Sequence, residues 1–164
     1  MGESFRWLSP LGASVGLFLA IGLLWLMIGA LTVPFHNRGA GTESIFVSHS
    51  TDREYFGTSP SELLSSDPAL SKLRTLLLTV IAGFLLLAGT LYLFVAWFGL
   101  KQGELWALVS LASGGLVAIA FWALALLPYF RSGIPVTIGD LPPFMWIPAV
   151  LILPAILLGW MGLR

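Results

Sequence analysis

Four long apolar runs alternate with polar segments along the chain. They cover residues 11–33, 76–100, 105–130 and 144–163, and none contains a charged residue. An apolar run of more than about 18 residues is long enough to cross a bilayer as a helix. The sequence therefore predicts an all-α protein with a single membrane domain, 1–164. We expect a four-transmembrane-helix bundle with one long polar loop, 35–72, between helices 1 and 2.

The polar segments carry local signals for turns and helix starts. Only residues 101–104 separate the second run from the third, so these two helices should form an antiparallel hairpin. Ser59 and Glu62 have the spacing of a capping box, which predicts a short helix to about Ser65. Asp67 and Pro68 repeat the start signal, so the second long helix should begin at Pro68.

A short stretch before these signals has a different pattern. Ile45, Phe46 and Val47 are three consecutive apolar residues, two of them β-branched, inside the polar loop. This composition favours extended backbone. We expect a short extended segment here.

Composition narrows the class of protein. Hydrophobic residues make up 57% of the chain and charged residues 10%, with a mean hydropathy of +0.93. Soluble domains carry about 25% charged residues, so a multi-pass cell-membrane protein is expected. The net charge is zero, which gives nucleic acid no electrostatic basis for binding. Cysteine is absent, which excludes disulfides and thiolate chemistry.

Two signals disagree about orientation. Four spans place both termini and the 101–104 turn on one side, and the long loop and residues 131–143 on the other. The loop side holds more Lys and Arg, which favours the loops in the cytoplasm. Long polar loops on small bundles are often external, which favours the termini inside. Both orientations stay open, and we expect the second.

Candidate metal ligands lie only in the polar loops. His36, His49, Asp52 and Asp140 would share one membrane face, and imidazole with carboxylate can bind a divalent ion. Their spacing matches no established ligand pattern, so ordinary solvated polar residues are the alternative. No catalytic residue and no cofactor is predicted, because no ionisable side chain falls inside an apolar run.

The hydroxyl residues inside the apolar runs can form two kinds of hydrogen bond. The first is to a backbone carbonyl of the same helix. The second is to another helix or to a ligand. We expect the first for most of them; they are Ser14, Thr32, Thr79, Thr90, Ser110 and Ser113.

Small residues recur at helical spacing in two runs. Gly12 and Gly16 form a G-x-x-x-G pair, and Ser110, Gly114 and Ala118 continue a stripe from Ala107. Small residues let helix backbones approach closely in membranes. We expect helix packing at these positions, within the chain or between protomers.

Several short patterns together resemble a known group of proteins. They are Tyr55 to Leu63, Asp67 to Leu70, Phe98 to Ala107 and Asp140 to Pro143. The chain resembles a group of small bacterial four-helix integral membrane proteins without an assigned function. The resemblance implies the four-span topology and a bacterial inner membrane, and it implies no activity. A histidine often precedes the last prolines in that group, and none does so here.

Three functions follow from these features. The first is an accessory or structural subunit of a membrane complex, whose partners would be the lipid bilayer and another membrane protein or further copies of the chain. The second is a binder or carrier of an apolar ligand such as lipid or quinone, for which the 13% aromatic content is suitable. A membrane enzyme is the least expected.

Overall fold

The computed structural model describes residues 5–36 and 44–164. Within them the chain forms six α-helices and no strand. Short 3-10 helices at Leu100–Gln102 and Ile138–Asp140 join the last three long helices. The α-helices are α1 (Pro10–His36), α2 (His49–Phe56), α3 (Pro60–Ser66), α4 (Pro68–Phe98), α5 (Leu105–Arg131) and α6 (Pro143–Gly162).

Helices α1, α4, α5 and α6 account for the four apolar runs. Each contains a segment that is long and apolar enough to cross a membrane, by length and composition. These segments are Pro10–Thr32, Pro68–Gln102, Leu105–Arg131 and Pro143–Gly162. The prediction of an all-helical chain with four long apolar helices is confirmed.

The four long helices run antiparallel to the neighbours they contact. Ser14 of α1 donates a hydrogen bond from Oγ to the Ala155 carbonyl of α6 at 2.7 Å. At the other end of the same pair, the Trp25 indole of α1 donates to the Phe144 carbonyl at 3.1 Å. The start of α1 therefore lies beside the end of α6. The 101–104 turn lies at this same end, which we call the terminal end of the molecule. We call the opposite end the loop end.

Helix α1 is the central helix. Its side chains Val15, Phe18 and Ile21 are fully buried against α4 and α6, where Ile152 and Ala155 are also fully buried. Branched and aromatic side chains of α1 thus form the core where this helix packs between α4 and α6. The outer faces of α4 and α5 are apolar and exposed.

Glycines set the contact between α1 and α4. A Cβ atom built on Gly89 would lie 2.6 Å from the carbonyl oxygen of Gly22. One built on Gly29 would lie 2.8 Å from the carbonyl oxygen of Ala82. Such distances leave no room for a side chain, so the two backbones are in direct contact at both levels. Seven residues separate the two positions on each helix, a spacing that returns to the same helix face.

The hydroxyl groups of the apolar helices divide as follows. The expectation of a bond to the same helix is confirmed for Thr32, Thr79 and Thr90, each of which donates to the carbonyl four residues earlier. It is wrong for Ser14, whose hydroxyl is fully buried and bonds across to α6. Because α1 packs against α6 at this level, the Ala155 carbonyl of α6 lies within hydrogen-bond distance of the Ser14 hydroxyl.

The segment between α1 and α4 is more structured than a polar loop. Helix α3 starts at Pro60 after the expected cap, Ser59, whose Oγ accepts from the Glu62 N–H at 3.2 Å. Helix α4 starts at Pro68 as expected. Helix α2 was not predicted, and its Ser48 cap accepts from the Thr51 N–H. The expectation of an extended strand-like stretch at 45–47 is wrong. These residues form a bend whose backbone N–H groups point at one carboxylate.

Candidate functional site

Helices α4 and α5 separate as they leave the turn that joins them. Near the turn they are in contact, since a Cβ on Gly99 would lie 2.6 Å from Cβ of Ala107. Farther on, the buried Tyr92 hydroxyl donates to the Leu111 carbonyl at 2.7 Å. From Val95 toward the loop end a groove opens sideways onto the apolar outer surface, with Tyr92 in its lining and a volume of about 740 Å³.

The groove follows the helix axes. Ile81 and Val95 both line it and lie 14 residues apart on α4, which corresponds to about 21 Å of helix at about 1.5 Å per residue. Its floor includes Trp25 of α1, whose ring lies 4.8 Å from that of Tyr92 and 6.1 Å from that of Trp122. The groove is therefore long, narrow and backed by aromatic rings.

Few polar atoms face the groove, and most are already bonded. Tyr92 and Trp25 donate their hydrogens to carbonyl groups of the protein. Within the described part of the chain, the Ser110 hydroxyl has no hydrogen-bond partner, although Ser110 lines the groove. No Asp, Glu, Lys, Arg or His is among the described residues that line it. The site can bind an apolar chain and offers one hydroxyl, and it holds no charged group for acid–base chemistry.

The predicted stripe on α5 forms one wall of this groove. Ser110 and Gly114 are exposed, and Ala118 is half-buried. A Cβ on Gly114 would lie 3.4 Å from the Tyr92 hydroxyl oxygen, which is ordinary contact. The tight position is the next residue, Gly115, where a Cβ would meet Ile152 and, at 2.9 Å, the Tyr92 hydroxyl oxygen. The chain itself thus packs no helix closely onto the stripe, and its packing against a partner stays a prediction.

The glycine pair of α1 lies elsewhere. A Cβ on Gly12 would meet the carbonyl oxygens of Arg6 and Trp7, in the turn that precedes the same helix. Nothing lies within 4 Å of a Cβ on Gly16. Among the described residues, the nearest atoms to a Cβ on Gly12 belong to this turn and a Cβ on Gly16 has open space, so helix packing at either glycine stays a prediction.

Asp52 of the loop end is fully buried and surrounded by donors. Its Oδ2 accepts from the backbone N–H groups of Ile45 at 2.6 Å and Phe46 at 3.0 Å. Its Oδ1 accepts from the Val47 N–H at 3.3 Å and from the Tyr129 hydroxyl at 2.9 Å. The carboxylate therefore fixes the 45–47 bend to the end of α5, and a metal ion would have to displace these donors.

Asp140 has a similar role nearby. Its carboxylate accepts from the Thr137 hydroxyl at 2.6 Å and N–H at 2.9 Å, and from the Ser48 hydroxyl at 2.7 Å. These hydrogen bonds, from Thr137 first and Ser48 second, hold the pKa of Asp140 well below its usual range. Because Ser48 also caps α2, the ionised carboxylate joins α2 to the 131–143 segment.

The predicted ligand set is not assembled in the described part of the chain. No group of three His, Asp or Glu side chains there could hold a metal ion. His49 is exposed on α2, and the side chain of His36 lies outside the described residues. Asp52 and Asp140 instead bind protein donors.

The sequence analysis predicted neither the groove nor the close α1–α4 contact. The contact could have been predicted from small residues seven positions apart in both helices, at Gly22 and Gly29 and at Ala82 and Gly89. The groove had no such signal, because Trp25, Tyr92 and Trp122 read equally well as core residues.

No family model, no curated protein and no solved structure matches the chain. The resemblance to small bacterial four-helix membrane proteins therefore stays a prediction.

Proposed function

We propose that the chain is a multi-pass protein of the bacterial inner membrane that binds the apolar chain of a lipid or isoprenoid quinone. In this proposal α1, α4, α5 and α6 form a four-transmembrane-helix bundle, and the groove between α4 and α5 opens to the hydrocarbon core of the bilayer. The groove is the observation that carries the proposal.

The size and chemistry of the groove support a single apolar chain. Its volume of about 740 Å³ is within the range of about 300–1,000 Å³ found for small-molecule sites. Its long axis runs along α4, which would be close to the direction of lipid chains. Aromatic and aliphatic side chains line it, which suits an alkyl or isoprenoid chain and offers nothing to a charged substrate.

Ser110 supports an orientation for the ligand. It lies five residues after the start of α5, or about 8 Å from the terminal end at about 1.5 Å per residue. A hydroxyl at that depth can hydrogen-bond the ester or quinone carbonyl of a ligand whose chain extends toward Trp122. We therefore place the polar end of the ligand toward the terminal end of the molecule.

A partner helix is the second candidate, and it corresponds to an accessory subunit. The observation in its favour is that Ser110, Gly114 and Ala118 present a wall of small residues that no helix within the described residues covers. Close helix packing in membranes relies on small residues at the interface, and beside this wall the groove presents the rings of Trp25, Tyr92 and Trp122. We therefore rank an apolar ligand ahead of a partner helix.

The test compares ligand retention in two variants with an added leucine. Gly114→Leu points a side chain into the groove, while Gly83→Leu adds the same side chain to an exposed position of α4 with nothing within 4 Å. After purification in mild detergent, native mass spectrometry should detect a bound lipid or quinone on the wild type and on Gly83→Leu. The Gly114→Leu protein should have lost it.

Two outcomes would count against the ligand. Equal retention by Gly114→Leu would show that the bound molecule lies elsewhere. A co-purifying protein that Gly114→Leu loses, with no lipid on any variant, would favour the accessory subunit.

The topology has its own test. The native chain has no cysteine, so single cysteines at the exposed residues Ser61, Ser132 and Gln102 give no background labelling. Ser61 and Ser132 should react with a membrane-impermeant reagent from one side of intact cells, and Gln102 from the other. Labelling of Ser61 and Gln102 from the same side would contradict the four-span arrangement.

A further inference from the structure

A second cleft lies at the terminal end, away from the groove. It has a volume of about 250 Å³ and lies between the start of α1, the 101–104 turn and the end of α6. Two cationic side chains line it, Arg6 and Lys101, with the hydroxyl of Ser9 and the amide of Gln102. In contrast to the α4–α5 groove, this cleft is rich in hydrogen-bond donors and positive charge.

The two cations have no acidic partner among the described residues. No salt bridge within residues 5–36 and 44–164 involves Arg6 or Lys101. Like charges that share a cleft repel each other unless an anion lies between them, so the cleft favours an anionic ligand. The Gln102 amide can then donate a further hydrogen bond to the oxygen atoms of the anion, whereas the Ser9 hydroxyl already donates to the Arg6 carbonyl at 2.7 Å.

Lys101 is held in place by aromatic rings. Its Nζ lies 3.7 Å from the ring centroid of Trp97, and 5.6 Å and 5.9 Å from those of Phe5 and Trp7. Cation–π attraction of this kind orients an ammonium group and leaves its hydrogens free to bind an anion. The charge is therefore fixed at the rim of the cleft.

Trp97 connects the cationic cleft to an apolar one. A third cleft of about 280 Å³ is lined by Trp97 and by Leu19, Leu93, Phe94 and Phe98. It extends along α1 and α4 toward the loop end. The two clefts have no lining residue in common and adjoin through the contact between Lys101 of the first and Trp97 of the second. A cationic cleft beside an apolar cleft suits an amphiphile with an anionic head and an apolar chain.

We propose that this pair of clefts binds an anionic phospholipid, with its phosphate between Arg6 and Lys101 and one acyl chain along Trp97 and Phe94. The proposal needs the membrane insertion argued above and is independent of the groove ligand. Basic residues next to a membrane span commonly bind anionic headgroups. Tryptophans concentrate at the depth of lipid headgroups, and Trp7 and Trp97 lie beside this cleft.

The experiment titrates delipidated protein in detergent with phosphatidylglycerol and with phosphatidylcholine of the same acyl chains, followed by native mass spectrometry. Phosphatidylglycerol should bind at least about fivefold more tightly, and Arg6→Gln and Lys101→Gln should each remove about a factor of five. Lys101→Arg should retain the preference. Arg131→Gln, which removes an exposed cation at the loop end, should bind like the wild type.

Other results would overturn the proposal. Equal affinity for the two lipids, or an equal loss in Arg131→Gln, would mean that the cleft has no headgroup specificity. Competition by glycerol phosphate at the same concentration as the lipid would identify a site for a soluble anion. Gly114→Leu should leave the preference for phosphatidylglycerol over phosphatidylcholine unchanged, because the described residues that line the groove include no charged side chain. Failure here and failure of the groove ligand are therefore distinguishable. Thermal unfolding of each variant in detergent checks that it is folded.

Discussion

Helix α4 meets α1 and α5 in opposite ways. From Leu93 to Ala82 it lies against α1, and its backbone contacts that of α1 at Gly89 and Ala82. Against α5 it is closely packed near the 101–104 turn, and from Val95 toward the loop end the groove lies between the two helices, crossed by the hydrogen bond from Tyr92 to the Leu111 carbonyl. All three helices are similarly apolar, so hydrophobicity does not explain the difference.

The position of the small residues explains it. Gly22 and Gly29 of α1 face Gly89 and Ala82 of α4, so small residues meet small residues and the backbones close. On α5, Gly114 faces the ring of Tyr92, which holds the helices apart. In a medium as apolar as the side chains, close packing is the main attraction between helices. A helix pair without matched small residues is therefore left with space that a ligand can occupy.

The largest effect on stability is expected from a substitution at the close contact between α1 and α4. Gly89→Ala should lower the free energy of unfolding by about 2–3 kcal/mol, because its Cβ would lie 2.6 Å from backbone atoms of Gly22 and Leu26 that cannot move alone. Gly83→Ala, on the same helix with nothing within 4 Å, should gain about 0.5–1 kcal/mol from helix propensity. The measurement is thermal unfolding in mild detergent. Shifts of the same sign would contradict a closed α1–α4 contact.

A smaller effect distinguishes two adjacent glycines of α5. Gly115→Ala should cost about 1 kcal/mol, because the added methyl meets the ends of the Ile152 and Tyr92 side chains, which can shift. Gly114→Ala should gain up to about 0.5–1 kcal/mol from helix propensity, because it adds only ordinary contact at the groove.

Unfolding of the two variants in detergent gives the comparison. A greater loss for Gly114→Ala would restore the sequence-based view that Gly114 lies at a close helix contact. It would also mean that the groove is narrower than described.

The sequence predicted the elements better than their contacts. The apolar runs, the Ser59 cap and the Pro68 start depend on neighbouring residues in the chain, and each was predicted close to its observed position. Helix α2 was missed because its eight residues are mostly polar and show no apolar periodicity, although Ser48 and Asp52 lie at its start.

The groove could not be predicted for a different reason. Helices that are apolar on every side carry no charged face to fix their rotation, so the sequence does not show which stripe meets which neighbour. Gly12 and Gly16 matched a motif, whereas Gly22 and Gly29 form the contact. The fully buried Ser14 shows the same limit, since only the packed structure places the Ala155 carbonyl beside it.

The smallest expected effect concerns the hydrogen bond at the closed end of the groove. Tyr92→Phe removes the 2.7 Å bond to the Leu111 carbonyl and keeps the ring that separates the helices. Hydrogen bonds between helices in membranes are worth about 0.6 kcal/mol on average, so the loss of stability should be near that value. Thr90→Val, which removes a hydroxyl bonded within α4, is the matched control and should change stability less. The bond joins α4 to α5 near the end of the groove that faces the 101–104 turn. Tyr92→Phe should therefore also let these helices move apart and weaken retention of a groove ligand. Native mass spectrometry and thermal unfolding of the same samples measure both quantities. If Tyr92→Phe and Thr90→Val behave alike in both, the contact at Tyr92 does not limit the groove, and the turn at 101–104 alone would hold α5 beside α4.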